Sequence, residues 1–325
     1  MTTRARFIAT TAGAASAVLF GAPAIVRAQG AAKPLTIGYV PTTLFAPVFV
    51  AAERGYFHDA GFTPNLLPIV AGQDSMALTA QGQVDLVAAA MSAAFFNAVS
   101  RGFEIRFVAS TGYQPHTGHP TALMARDDLY ASGLHDAGGL RGKKVGWIGG
   151  TGAASGYYVA RILRGYGMTL KDIDGVNIAN PDQEVALERK AIDAVFTSAP
   201  FTDVFAQKKL ARIIGSVQPG ISASGIFFGP NLLHAPDQAR AIMTALRKAA
   251  ADIAGPGYYA PENLAAYAKY TKQPLDVLQH ADRYDFKPDL RIDQSTVIDM
   301  QRVFIDQGIL LYKTPINEVQ LVARF

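Results

Sequence analysis

KKVGWIGGTGAASGYYVARIL, Lys143 to Leu163, holds the turn on which the fold reading depends. Val145 to Ile148 has the apolar, β-branched and aromatic character of a buried strand, glycines at 149, 150 and 152 interrupt it, and Val159, Ile162, Leu163 and Tyr166 recur at helical spacing up to Gly167. The order is strand, glycine turn, helix. A helix beginning there directs unpaired N–H groups and the positive end of its dipole at whatever fills the turn, which favours an anion or a polar carbonyl. A dinucleotide site asks for G-x-G-x-x-G, but Ser155 stands where the third glycine belongs, and Asp182 follows the next strand only after Asn180-Pro181. A small ligand fits the stretch better, with a purely structural turn as the other reading.

Outward from this turn the chain alternates. Leu35 to Val40, Phe62 to Val70, Val84 to Ala90 and Ile105 to Ser110 read as strands, with helices over Pro47 to Phe57, Asp74 to Gln81 and Ala93 to Ser100. TGYQPHTGHP, Thr111 to Pro120, breaks the pattern. A second set follows, with strands at Thr121 to Ala125, Lys144 to Ile148, Val176 to Ala179, Ala194 to Thr197 and Arg212 to Val217, until PGISASG, Pro219 to Gly225, breaks it again. Beyond Pro230 helices are expected, opened by Pro236, Pro261, Pro274 and Pro315; Asp293 is placed to cap one carrying Val297, Met300 and Phe304 before Gly308. Such alternation implies α/β architecture with mainly parallel sheets. Two breaks around a compact block imply one lobe inserted into another, with a ligand cleft floored by the two crossings.

Arg4 and Arg6 precede an apolar run from Ala12 to Phe20, and Val26-Arg27-Ala28 has the small-x-small form of a cleavage site. Residues 1–28 therefore read as an export signal, cleaved near Ala28, by either the general or the twin-arginine route. The absence of cysteine excludes disulfides, thiolate metal sites and thiol nucleophiles, and a periplasm is the expected location. Lys and Arg number 30 against 26 Asp and Glu, but Arg4, Arg6 and Arg27 fall within the leader. A near-neutral remainder without basic clusters argues against nucleic acid or a membrane surface as partner.

GYVPTTLFAPVFVAAERGYFHDAGF, Gly38 to Phe62, resembles the nitrate/sulfonate/taurine and thiamine-precursor group of ABC-transporter substrate-binding proteins. LTAQGQVDLVAAA, Leu78 to Ala90, is similar to that group's helix-to-strand element, and ERKAIDAVFTSAPF, Glu188 to Phe201, to its second-lobe counterpart. The resemblance implies a two-lobed periplasmic-binding-protein fold of type II, with 33–117 and 222–325 as a discontinuous first lobe and 118–221 as the inserted second. It also implies that ligand contacts come from Thr42, Thr43 and Phe45; Gly72, Gln73 and Asp74; Met91 and Ser92; Thr151, Gly152 and Ser155; Ser198 and Phe201; with Tyr113 and His116 at the crossing. Ser198-Ala199-Pro200 lacks the aromatic and acid that many members carry before that proline. Pro41-Thr42-Thr43-Leu44-Phe45 lacks the asparagine and histidine of thiamine-precursor binders, and the fungal pyrimidine-synthesising relatives depend on a cysteine-rich motif absent here.

The pair His116 and His119 wants a third ligand that the loop does not offer, so no metal is expected. Neither GISAS at 220–224 nor GAASG at 152–156 completes a serine-hydrolase elbow. The expectation is a monomeric periplasmic solute-binding component of an ABC importer, without cofactor and not an enzyme, which captures a sulfonate, aromatic acid or pyrimidine-type nutrient for an inner-membrane permease. A periplasmic oxidoreductase using the Gly149–Gly152 turn, and a binding protein that feeds a sensor kinase, are the alternatives.

Overall fold

Apolar runs bounded by glycine and proline become the strands of two five-stranded sheets. The structure is a computed structural model that describes residues 32–69 and 72–325, with the backbone alone at 72–74 and 181. The leader read over residues 1–28 lies outside the described residues. β1 (Lys33–Tyr39), β2 (Phe62–Pro68), β3 (Leu86–Ala90) and β4 (Arg106–Ser110) belong to the first sheet. β5 (Thr121–Arg126), β6 (Lys144–Trp147), β7 (Asp174–Asn177), β8 (Ala194–Ser198) and β9 (Ala211–Ser216) form the second, after which β10 (Ser224–Phe228) returns to the first. The spatial orders are β2-β1-β3-β10-β4 and β7-β6-β8-β5-β9.

Both sheets are mixed rather than mainly parallel. β10 runs antiparallel to β3 and β4, and β5 antiparallel to β8 and β9, whereas β1 with β2 and β3, and β6 with β7 and β8, are parallel. In each case the reversed strand is the one by which the chain arrives from the other sheet. Chain leaving the carboxyl end of one sheet meets the other at its carboxyl end, so its first strand runs backwards. β10 is also a strand that sequence patterning does not find: it begins in the break read at Pro219 to Gly225 and runs on through residues given no element. It is buried along its whole length and so shows no alternation, and Gly229-Pro230 punctuates it. Gly225 is required there: a Cβ would lie 1.9 Å from the Ala109 carbonyl oxygen.

The crossings run side by side. Gln114 N–H donates to Ile221 O at 3.0 Å, Gly220 N–H to Gln114 O at 2.8 Å, and Thr111 N–H to Ser224 O at 2.9 Å. Asp293 ties a third segment to them. Its carboxylate accepts the Ser222 N–H at 3.0 Å and caps helix Gln294–Asp306 through the Thr296 N–H at 3.1 Å. That helix buries Val297, Met300 and Phe304, with Phe304 edge-on to Phe96 of helix Ala93–Ser100. The ring of Phe227 sits 4.9 Å from those of Phe95 and Phe107, which joins this layer to the first sheet.

Asp203, on helix Phe201–Gln207, is half-buried, and desolvation pushes its carboxyl above the ordinary range although the Asp282 N–H donates to it at 3.3 Å. The folded state then holds that proton more tightly than the unfolded chain. This contribution is complete below the ordinary carboxylate value and is lost as pH rises through the raised one. Asp203→Asn should therefore gain stability relative to the parent as pH rises above about 4. Melting curves of both proteins over that rise test this, and curves that stay parallel would refute it.

Candidate functional site

The loops that leave the carboxyl ends of β1, β3, β6 and β8 converge on a cavity of about 140 Å3. After β1, the Thr42 hydroxyl accepts the Leu44 N–H at 3.4 Å and caps a short 3-10 turn, Thr43–Phe45, which swings Leu44 and Phe45 into the wall. After β3, Met91 and Ser92 follow without a break, and the Met91 N–H is held by Ala223 O at 2.7 Å. After β6, Gly149 and Gly150 have φ of 83° and 69°, which glycine tolerates, and the Gly149 N–H is fixed by Asn177 Oδ1 at 2.8 Å. Helix Ala154–Arg164 then starts at the cavity, with Ala153, Ala154, Ser155 and Tyr158 lining it. Phe196, Thr197 and Ser198 end β8, and Gln114, Thr121 and Ser224 supply the floor from the crossings.

The chemistry of this wall is neutral. Among the described residues that line it there is no Asp, Glu, Lys, Arg or His. Tyr158 is its titratable group, and burial raises that phenol above its ordinary value while its oxygen accepts the Ala223 N–H at 2.7 Å. Ser155 donates its hydroxyl to Ile148 O, locking the turn to the helix. Gln114 Nε2 donates to Thr121 Oγ1 at 3.1 Å, and that oxygen also lies 2.9 Å from the Tyr284 hydroxyl. Helix Ala154–Arg164 has no side-chain cap at Ala153, so its first N–H groups are offered at the cavity's edge.

Of the residues named from sequence, Thr42, Phe45, Met91, Ser92, Ser155 and Ser198 are brought together here. The side chains of Gly72, Gln73 and Asp74, which open helix Gly72–Ala80, lie outside the described residues. The others are placed elsewhere. Thr43 is buried against the Tyr258 hydroxyl, and Tyr113 is buried with its O–H donated to Arg291 O. His116 is exposed on the crossing, while His119 pairs its ring with Ser216 Oγ at 2.9 Å. Thr151 is exposed beside a separate groove with Arg164 and Lys171. Gly152 belongs to the seam between the sheets: its carbonyl accepts the Ala93 N–H at 2.8 Å, and a Cβ would meet Ala93 Cβ at 3.2 Å. Phe201 rests on Phe205, ring centroids 6.0 Å apart. Sequence reading missed Gln114, Thr121, Tyr158, Asn180, Phe196 and Thr197. Strand pleating offered one signal, since Phe196 shares a face of β8 with Ser198.

A family model described as NMT1/THI5 like matches residues 42–256. The 4-amino-5-hydroxymethyl-2-methylpyrimidine phosphate synthase THI12 of Saccharomyces cerevisiae is 31% identical over 159 residues, 49% of this chain and 43% of that protein. The match thus spans less than half the length of this curated relative. Among solved structures, the alkanesulfonate-binding protein SsuA from Xanthomonas axonopodis pv. citri, bound to MOPS, superposes with a TM-score of 0.71 at 17% identity, over 90% of this chain and 98% of that one. The periplasmic nitrate-binding protein NrtA from Synechocystis PCC 6803 gives 0.67 at 13% identity, over 87% and 83%. The fold is that of these periplasmic binding proteins. The expectation that the chain is not an enzyme is corrected by the synthase: a protein named for catalysis shares nearly a third of the aligned residues, and the missing cysteines were too narrow a ground for that exclusion.

Proposed function

The chain belongs to the NMT1/THI5-like family, and from that premise we propose that it captures a small organic solute between two lobes, 33–117 with 222–325 and 118–221. The observation that carries the reading is a cavity walled by strand-end loops of both sheets and floored by both crossings. Such a site is complete only when the two sheets are close, so a guest that touches both favours the closed form. Micromolar capture needs about 8 kcal/mol net, within reach of several hydrogen bonds and one buried ring. Export to the periplasm and delivery to an ABC permease agree with the leader pattern and with the binding proteins that share the fold.

A second reading is that the bound solute is also transformed, as the names of the curated relatives denote. Native mass spectrometry of the freshly purified protein tests the first: a retained small molecule is expected, and its absence from protein purified out of the producing cell would count against capture. Following the released molecule by mass over hours tests the second. A shift in its mass marks turnover.

A further inference from the structure

The cavity's polarity is unusual for a site that would hold an anion. The described polar residues of its lining are neutral throughout, among them Thr42, Thr121, Ser155, Ser198, Gln114 and Asn180. A sulfonate, carboxylate or nitrate taken in here would be desolvated against Phe45, Phe196 and Met91, each under 5% exposed, with no cation in the described wall to compensate. A helix start offers only about half a unit of positive charge, enough for a carbonyl oxygen but a poor substitute for a guanidinium.

Two hydroxyls add a second observation. Ser92 at the end of β3 and Thr197 near the end of β8 are each 3% exposed and line the cavity from opposite sheets. Neither oxygen has a hydrogen-bond partner among the described residues. A buried polar group left unpaired is costly, and a guest that supplied a partner to either hydroxyl would remove that cost. With Phe45 on the first-sheet side and Tyr158 and Phe196 on the second, the space suits a flat ring.

We propose that the cavity selects an uncharged, planar molecule bearing an amide or ring-carbonyl group, hydrogen-bonded by Ser92 from one sheet and Thr197 from the other, and that it rejects anions. The proposal rests on the capture reading above and names its ligand class. Matched pairs that differ in charge on one ring test it: nicotinamide against nicotinate and uracil against orotate, with taurine as a non-aromatic anion, each titrated calorimetrically into the purified full chain. At least one uncharged member should bind, at least tenfold more tightly than its anionic partner, and Ser92→Ala and Thr197→Val should each weaken it roughly tenfold. Unliganded melting temperatures of the variants, compared with the parent's, separate lost contacts from lost folding. Binding of nicotinate, orotate or taurine in preference to the uncharged probes overturns this inference and leaves capture standing. So does failure of every probe while the native mass spectrum shows a retained solute, and so does undiminished affinity in both variants. No retained solute and no probe bound overturns both readings together.

Discussion

Gly225→Ala is expected to destabilise the fold by about 4 kcal/mol or more, the range reserved for strain that a core cannot absorb. The added methyl would lie 1.9 Å from the Ala109 carbonyl and 2.5 Å from the Phe107 ring. Neither neighbour has room to give. Ala109 is held in β4, whose pairing with β10 already shifts register between Ile226 and Phe227, and Phe107 is wedged against Phe227. β10 also anchors the returning crossing, with Ser224 on the cavity floor, so any folded fraction should bind solute poorly. Urea denaturation gives the number, with Ile226→Val, expected to cost about 1 kcal/mol, as a scale for the same strand. A loss under about 1 kcal/mol for Gly225→Ala would mean that β10 does not lie between β3 and β4 as described.

Asp299→Ala is expected to cost about 2 kcal/mol and to weaken solute capture about tenfold. Asp299 lies on helix Gln294–Asp306, where it accepts the Tyr157 hydroxyl at 2.8 Å, pairs with Arg161, and has Arg164 at 3.7 Å, the three partners all coming from helix Ala154–Arg164. Arg161 extends the network to Gln218 Oε1 at 3.0 Å. Burial raises the Tyr157 phenol, with the Asp299 charge adding to the effect, so the tyrosine stays protonated and donates. Removing the carboxylate leaves a guanidinium and a phenol without their acceptor. Full burial would make that loss 3–5 kcal/mol, but the Arg161 and Asp299 side chains are 26% and 29% exposed, which halves the expectation. The affinity change follows because this contact joins the helix that opens on the cavity to one packed against the first sheet's layer. A double-mutant cycle with Arg161→Ala measures it: the coupling should exceed about 1 kcal/mol in stability, and additivity would show that the two groups act apart.

The strand, glycine turn and helix at 143–163 were legible because each carries a strong local signal: β-branched residues, glycines at positive φ, and a buried stripe that includes Val159 and Leu163. Cavity residues that follow directly from a strand end, such as Met91, Ser92 and Ser198, were legible for the same reason. Others depended on partners far away in sequence. Nothing local announces that Thr43 turns to Tyr258, or that Tyr113 donates to Arg291, so both looked available to a ligand. Gln114 and Thr121 face the cavity because the crossings pair with each other, a contact between residues about a hundred positions apart. Gly152, which the resemblance placed among the ligand contacts, has the Ala93 side chain as its near neighbour, a contact made by a residue about sixty positions earlier.

The pairing of Gln114 with Gly220 and Ile221 has a practical corollary. All five strands from β5 to β9 lie between these residues, so the chain begins and finishes this excursion at one spot. Deleting 121–216 and bridging the gap with a few glycines and serines should spare the ladder of the remaining sheet. A fluorescent reporter spliced at the same junction would sit beside the paired crossings, where the proposed closure on a solute would change its surroundings.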